Sequence, residues 1–320
     1  MINMIYTSMG YLPRTNRFSR LLSTKQYKRF STTTSTNPFQ DITKNTDELI
    51  TALNGAQDIT VKAISCRTII NDYIKRLNLT PQSTHPFAEL ITCGILLGSN
   101  LKGEETLQIN FAGEAESLMK NIMVIVDGSL KVKGTVGNTQ VSIDDGNRPL
   151  SIPELFGNVG QIQVVKNHPF WKQPTSSIVS LDDYPVPINL SLYISQSEQR
   201  RGVFITDIVL EGKVCKQAAA VFVECLPGCP DETVEKTIEN LREVDKKRLS
   251  SYFSEGAEDD EALNKILDDC LVSMEADGIR WNSSPRFHCQ CNTDRIWRAL
   301  DLLPKNDIED MIQEDKGLEV

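Results

Sequence analysis

The sequence lacks the features that define several common classes of protein. Its apolar runs fall well short of the about eighteen residues that a membrane-spanning helix needs. It also contains none of the motifs Gly-x-Gly-x-x-Gly, Gly-x-x-x-x-Gly-Lys, His-Glu-x-x-His and Gly-x-Ser-x-Gly, which serve dinucleotide, phosphate, zinc-protease and serine-hydrolase sites. We therefore expect neither an integral membrane protein nor an enzyme of these classes.

Histidine is scarce, which limits acid-base chemistry. The three histidines are His85, His168 and His288, and none belongs to a recognisable catalytic arrangement. The adjacent acids Asp144 and Asp145 precede a glycine and are typical of a polar turn. The sequence thus predicts no catalytic residues and a function other than catalysis.

Acidic residues are absent from residues 1–40, which carry six basic residues, whereas the whole chain has a net charge of −9. This leader contains a Ser/Thr-rich run, 31–36, and Arg29-Phe30-Ser31 resembles a processing site. Such a composition is typical of a mitochondrial transit peptide and predicts a location in the mitochondrial matrix. A disordered basic tail on a cytoplasmic protein is the alternative. The acidic remainder argues against binding to nucleic acid, because it would repel phosphates.

Residues 41–229 show the patterns of a mixed α and β domain. Apolar residues at helical spacing predict a helix within 60–79 and a second helix over 86–97, ended by Gly98. Apolar residues that alternate with polar ones predict strands, at 107–111, 123–126, 130–136, 160–165 and 177–181. Short strands that follow paired helices favour the α+β class over a doubly wound parallel sheet.

Residues 230–285 are predicted to form a helical linker. One helix should run from Asp231 to about Tyr252, followed by an acidic loop over 255–261. Beyond this loop, apolar residues recur at the spacing of one helical face: Leu263, Ile266, Leu267, Cys270, Leu271 and Met274. Such a stripe must be buried against another apolar surface.

The eight cysteines are spread along the chain, a distribution that argues against a disulfide scaffold. Cys289 and Cys291 are separated by one residue and suit a soft metal such as zinc, provided that a second segment supplies more ligands. Cys225 and Cys229 flank a Pro-Gly turn, and we expect one to be half-buried and the other to lie in a loop.

Three motifs in order carry a family resemblance: Ser197-Glu198-Gln199, the small-residue strand that runs into Leu226-Pro227-Gly228, and Phe287-x-Cys289-x-Cys291. Together they resemble the redox-regulated molecular chaperones of the 33 kDa heat-shock family over roughly residues 41–320. The chain departs from the family at Ala218-Ala219, where a pair of glycines is usual, and at Lys133-Gly134, where Arg-Gly is usual.

The resemblance implies an α+β chaperone domain, a helical linker and a small zinc module at 286–320, which is incomplete here. It implies an ATP-independent holdase that binds unfolded clients once Cys289 and Cys291 are oxidised to a disulfide and zinc is released. The loosened linker would then expose its apolar face, Leu263, Ile266, Leu267 and Leu271. A homodimer in the oxidised state is also implied.

Zinc binding is conditional, because the family's second thiol pair, Cys-x-x-Cys, is expected just beyond Val320. Cys225, Cys229 or His288 are candidate substitutes for the missing ligands. Two other functions stay open. A module that lacks the switch would bind unfolded proteins constitutively, and a thiol-disulfide oxidoreductase would need a Cys-x-x-Cys, which this sequence does not contain.

Overall fold

A computed structural model describes residues 47–143, 148–253, 258–274, 279–288, 297–298, 300–304 and 306–309. The chain divides into two compact units, Met1–Phe287 and His288–Val320. All the elements named below belong to the first unit. The predicted boundaries at 40, 229 and 285 stay predictions.

Strands and helices alternate irregularly along the first unit. In chain order they are β1 (Glu48–Leu53), β2 (Ile59–Ser65), α1 (Arg67–Leu77), α2 (Pro81–Gly98), β3 (Thr106–Ala112), β4 (Asn121–Asp127), β5 (Lys131–Val136), α3 (Ile152–Phe156), β6 (Gly160–Asn167), β7 (Thr175–Leu181), α4 (Val186–Ser197), β8 (Arg201–Glu211), β9 (Val214–Cys225), α5 (Asp231–Lys247), a 3₁₀ turn (Leu249–Tyr252), α6 (Asp259–Cys270), β10 (Arg280–Ser283) and β11 (Arg286–Phe287).

The strands form two sheets. The first sheet is antiparallel with the order β10-β1-β2-β9-β8, and the second has the order β11-β5-β4-β3-β6-β7. In the second sheet only β11 runs parallel to its neighbour, β5. This architecture confirms the predicted α+β class.

The main core joins one face of each sheet to the helices α1, α2 and α4. Its largest fully buried side chains include Phe87, Phe111, Phe156 and Phe222. Helix α2 lies so close to β4 that a Cβ atom on Gly98 would come within 2.6 Å of Val126 Cγ1. A glycine at this position therefore allows the helix and the strand to pack closely.

The predicted helices are correct in part. Residues 60–65 belong to β2, so the first helix begins only at Arg67, and Asn78 ends it in the left-handed conformation with φ 49°. The second helix begins at Pro81, with Thr80 as its N-cap, and Gly98 is its last helical residue rather than its cap. The five predicted strands of the second sheet are all confirmed within a few residues.

The predicted helix from Asp231 is also correct, but it ends at Lys247, before the 3₁₀ turn. Asp144 and Asp145 lie outside the described residues. Among the helices that the structure describes, none is long and apolar enough to cross a membrane.

Candidate functional site: a sheet face covered by two helices

The first sheet has a second apolar face, opposite the main core. We call it the covered face, and it comprises Ile50, Ala52, Ile59, Val61, Ala63, Val203, Ile205, Ala219, Val221 and Val223. All of these side chains are buried, and they come from four neighbouring strands. Small and β-branched residues dominate the face, because such side chains pack well on a pleated surface.

Helix α5 covers one part of this face. Its buried side chains include Val234, Ile238, Leu241 and Val244, which recur at three- and four-residue spacing and so lie on one side of the helix. Acidic Asp231 lies in its first turn and basic residues lie in its last, an arrangement that the helix dipole favours.

Helix α6 covers the rest with the stripe predicted from the sequence. Leu263, Ile266, Leu267 and Cys270 are each 0% exposed and belong to the same buried cluster as the covered face. Leu271 is only partly buried and packs at the edge of this cluster, as does Met274. The predicted apolar stripe of α6 is thus buried against the sheet, and its role in a linker that binds clients stays a prediction.

Asp207 anchors the connection between the two helices. Its carboxylate accepts hydrogen bonds from the Arg248 guanidinium at 2.6 Å and from the backbone N–H of Ser250 at 2.9 Å. Arg248 has a φ of 66°, a left-handed conformation in which a non-glycine residue is uncommon. This contact lies at the point where the chain turns from α5 toward α6, and no sequence motif pointed to it.

Several polar contacts hold α6 in place. Ser65 Oγ on β2 donates a hydrogen bond to Asp259 at 2.5 Å, and the side chain of Asn240 on α5 donates to the carbonyl oxygens of Cys270, at 3.0 Å, and Val272, at 2.9 Å. The Tyr252 hydroxyl donates to Asp269 at 2.5 Å. The contacts attach α6 to both the sheet and α5.

A buried carboxyl group lies near the start of α6. Asp47 accepts hydrogen bonds from the backbone N–H groups of Thr68, at 2.8 Å, and Ile69, at 2.6 Å, and so caps α1. Burial raises the pKa of Asp47 to about 6, and repulsion by Asp259 adds to this rise, while the two backbone hydrogen bonds oppose it.

The motif Ser197-Glu198-Gln199 has a structural role that links the two sheets. Lys166 on β6 donates to Glu198 at 2.5 Å, and Arg200 bridges Glu198, at 2.7 Å, to Glu224 on β9, at 2.6 Å. Burial opposes ionisation of Glu198, but the hydrogen bonds from Lys166 and Arg200 outweigh it and lower the pKa. The motif is therefore explained by an ion network at the end of α4.

The two alanines that replace the family's usual glycines fit the sheet. Ala218 belongs to the main core and Ala219 to the covered face, so their methyl groups point to opposite sides of β9. Neither residue has a positive φ. The departure from the family pattern therefore leaves the strand intact.

The predicted redox and zinc ligands Cys289 and Cys291 lie outside the described residues. Just before them, Phe287 packs edge-on against Tyr73, with ring centroids 5.2 Å apart, and the Arg76 guanidinium lies 4.6 Å from the Phe287 ring centroid. Within the described ranges, no group of three or more His, Cys, Asp or Glu residues is suited to hold a metal ion.

This two-sheet α+β fold is that of a chaperone of known structure. The 33 kDa chaperonin (heat shock protein 33 homolog) of Thermotoga maritima matches it with a TM-score of 0.72 and 20% identity, over 86% of this chain and 91% of that chain. A protein-family model described as Hsp33 protein matches residues 47–320. The chain therefore belongs to the Hsp33 family, which confirms the resemblance seen in the sequence.

Curated relatives agree with this assignment. The 33 kDa chaperonin of Lactobacillus delbrueckii subsp. bulgaricus is 26% identical over 86% of this chain and 90% of the relative. The 33 kDa chaperonin of a Synechococcus species is 26% identical over 85% of this chain and 83% of the relative. Family membership supports chaperone function.

Proposed function

We propose that the protein is an ATP-independent holdase that binds unfolded proteins when α5 and α6 leave the covered face. The observation that carries this proposal is the continuous apolar face of the first sheet, which among the described residues is covered by α5, the 3₁₀ turn and α6. Release would expose the covered face and the apolar stripe of α6 together. Unfolded clients present the apolar segments that such surfaces bind.

The length of α6 supports such a release. Helix α6 has 12 residues, a length at which an isolated helix is marginal in water. Its stability must therefore come from docking, through Leu263, Ile266, Leu267 and Cys270. Elements held by few apolar side chains open at a lower free energy than the global core.

Oxidation of Cys289 and Cys291 is the proposed trigger. A hydroperoxide would oxidise one thiol to a sulfenic acid, and the second thiol would displace water to form the disulfide. Both residues follow β11 directly in the chain, and β10 and α6 precede it. A rearrangement at the thiols would therefore reach β11 first, then β10 and then α6 along the chain.

A closed zinc site would need ligands in addition to Cys289 and Cys291. Cys289 and Cys291 offer two of the four ligands of a closed structural zinc site. The described residues provide no group of three or more candidate ligands. We therefore propose a trigger that depends on the two thiols and does not require zinc. Zinc titration monitored with a chromophoric chelator tests whether the pair binds the metal at all.

An aggregation assay tests the proposed function. The reduced protein should suppress heat-induced aggregation of a client enzyme weakly, and pretreatment with hydrogen peroxide should increase suppression. The Cys289→Ser/Cys291→Ser variant should lose this increase. Equal suppression in both states would favour a constitutive binding module, and turnover in an insulin-reduction assay would favour an oxidoreductase.

The compartment and the oligomeric state are further parts of the proposal. The relatives named above are bacterial, which favours a cytoplasmic location over the mitochondrial matrix. The basic leader lies outside the family match, which begins at residue 47, and is tested separately. Import of a reporter fused to residues 1–40 into isolated mitochondria tests the leader. Light scattering before and after peroxide tests for an oxidised homodimer.

A further inference from the structure

The joint between β9 and α5 is a tight turn with a cysteine on either side. Strand β9 ends at Cys225, and the backbone N–H of Cys229 donates to the carbonyl oxygen of Leu226 at 3.1 Å. Gly228 has a φ of 88°, and Pro227 precedes it, which together are typical of a type II turn. The Leu226 N–H donates to the Asp58 carbonyl oxygen at 2.8 Å and fixes the turn to the residue just before β2.

This turn brings the two thiols together. Cys225 is 4% exposed and Cys229 is 8% exposed, and both belong to the buried cluster that contains Val234 and Ile238 of α5. The Cys229 thiol donates a hydrogen bond to the Pro230 carbonyl oxygen at 3.7 Å, and the two cysteines lie close enough for the charge of one to affect the other. Cys229 therefore lies in a loop, as the sequence suggested, but both cysteines are buried rather than half-buried or exposed.

We propose that Cys225 and Cys229 form a second disulfide site, which a hydroperoxide oxidises at a rate set by the docking of α5. The site lies at the root of the linker, in the first unit of the chain. It requires neither Cys289 and Cys291 nor client binding, although its rate rests on the undocking of α5 in the proposed function.

The reaction takes two steps. The Cys229 thiolate attacks the hydroperoxide, an S–O bond forms, the O–O bond breaks, and Cys229 becomes a sulfenic acid. The Cys225 sulfur then attacks the Cys229 sulfur, the S–S bond forms, the S–O bond breaks, and water leaves. Together the two thiols give up two electrons and two protons, which reduce hydrogen peroxide to two molecules of water.

Cys229 is the first nucleophile because it is the more exposed of the two thiols, at 8% against 4%, and lies at the start of α5. Burial raises the pKa of both thiols and so protects them while α5 is docked. Undocking of α5 would remove this protection and leave the positive charge of Arg201 near the Cys229 thiol.

Another pair of neighbouring thiols provides an internal control. Cys66 and Cys215 are 0% and 1% exposed, belong to the main core, and lie close enough for their charges to interact. They are not part of the cluster that the linker helices cover. Undocking of α5 should therefore leave them protected.

Peptide mapping of the full chain with Cys289→Ser/Cys291→Ser tests the proposal. Trypsin cleavage after Lys216 and Lys236 releases residues 217–236, which contain Cys225 and Cys229 and no other cysteine. After treatment with hydrogen peroxide, quenching with an alkylating agent should leave this peptide unalkylated and lighter by two hydrogen atoms. Peptides that contain Cys66 and Cys215 should remain fully alkylated.

A variant that weakens the docking of α5 on the covered face tests whether α5 controls the rate of disulfide formation. Leu241→Ala, which opens a cavity between α5 and the covered face, should accelerate formation of the disulfide at least about tenfold, whereas exposed Val272→Ala should not change it. Asp207→Asn is a milder variant, and retained exchange protection of β3 shows that each variant is folded. Absence of the disulfide in all variants, or equal rates in all of them, would overturn the proposal.

Discussion

Replacement of Leu267 by alanine tests most directly whether α6 can leave the covered face on its own. Leu267 is 0% exposed and packs in the cluster between α6 and the sheet. Truncation of a buried leucine costs about 2–5 kcal/mol, and each 1.4 kcal/mol changes an equilibrium about tenfold. The undocked population should therefore rise by a factor of at least about 30.

Hydrogen exchange measures this effect segment by segment. In the reduced variant, amide protection across Asp259–Cys270 should fall at least about 30-fold, while amides of β3 in the main core should keep their protection. Suppression of client aggregation by the reduced protein should rise in parallel. The matched control is Val272→Ala, since Val272 is 50% exposed and its truncation should change stability by less than about 0.5 kcal/mol.

Two results would refute this reasoning. If protection in α6 and β3 fell by the same factor, α6 would unfold only with the whole domain and could not act as a releasable cover. If α6 alone lost protection but aggregation suppression did not change, the covered face would not be the surface that binds clients.

Three further predictions concern the anchors and the core. Asp207→Asn removes the charge that holds Arg248, so exchange across α6 should accelerate about three- to tenfold, less at high salt, where the effect of an exposed ion pair is screened. Because burial raises the pKa of Asp47 from 3.8 to about 6, the folded state favours the protonated form, and its contribution to stability is lost as the pH rises through this range. In urea unfolding, the wild type should lose about 2 kcal/mol relative to Asp47→Asn between about pH 4 and pH 7, and parallel curves would contradict this. Gly134→Ala would bring a Cβ atom within 2.7 Å of the Met123 carbonyl oxygen, so thermal denaturation should show a loss of about 1–3 kcal/mol.

The parts of the fold that the sequence predicted share one property. Strands β3 and β4 alternate strictly between buried and partly buried residues, so their period of two is visible in the sequence. The stripe on α6 is equally regular, because its opposite side is exposed to water. The anchors Asp207 and Glu198 could not be assigned in this way, since their partners are distant in sequence and meet only in the folded chain.

The first sheet was harder to predict, for a reason that bears on function. Strands β2 and β9 are buried on both faces over most of their length. The apolar residues around Ile64 therefore do not alternate with polar ones, and their spacing predicts a helix instead of a strand. A sheet that faced water permanently on one side would carry polar residues there and would provide no apolar surface for a client to bind. The apolar residues do not alternate with polar ones because the covered face is apolar too. Helices α5 and α6 shield that face from water.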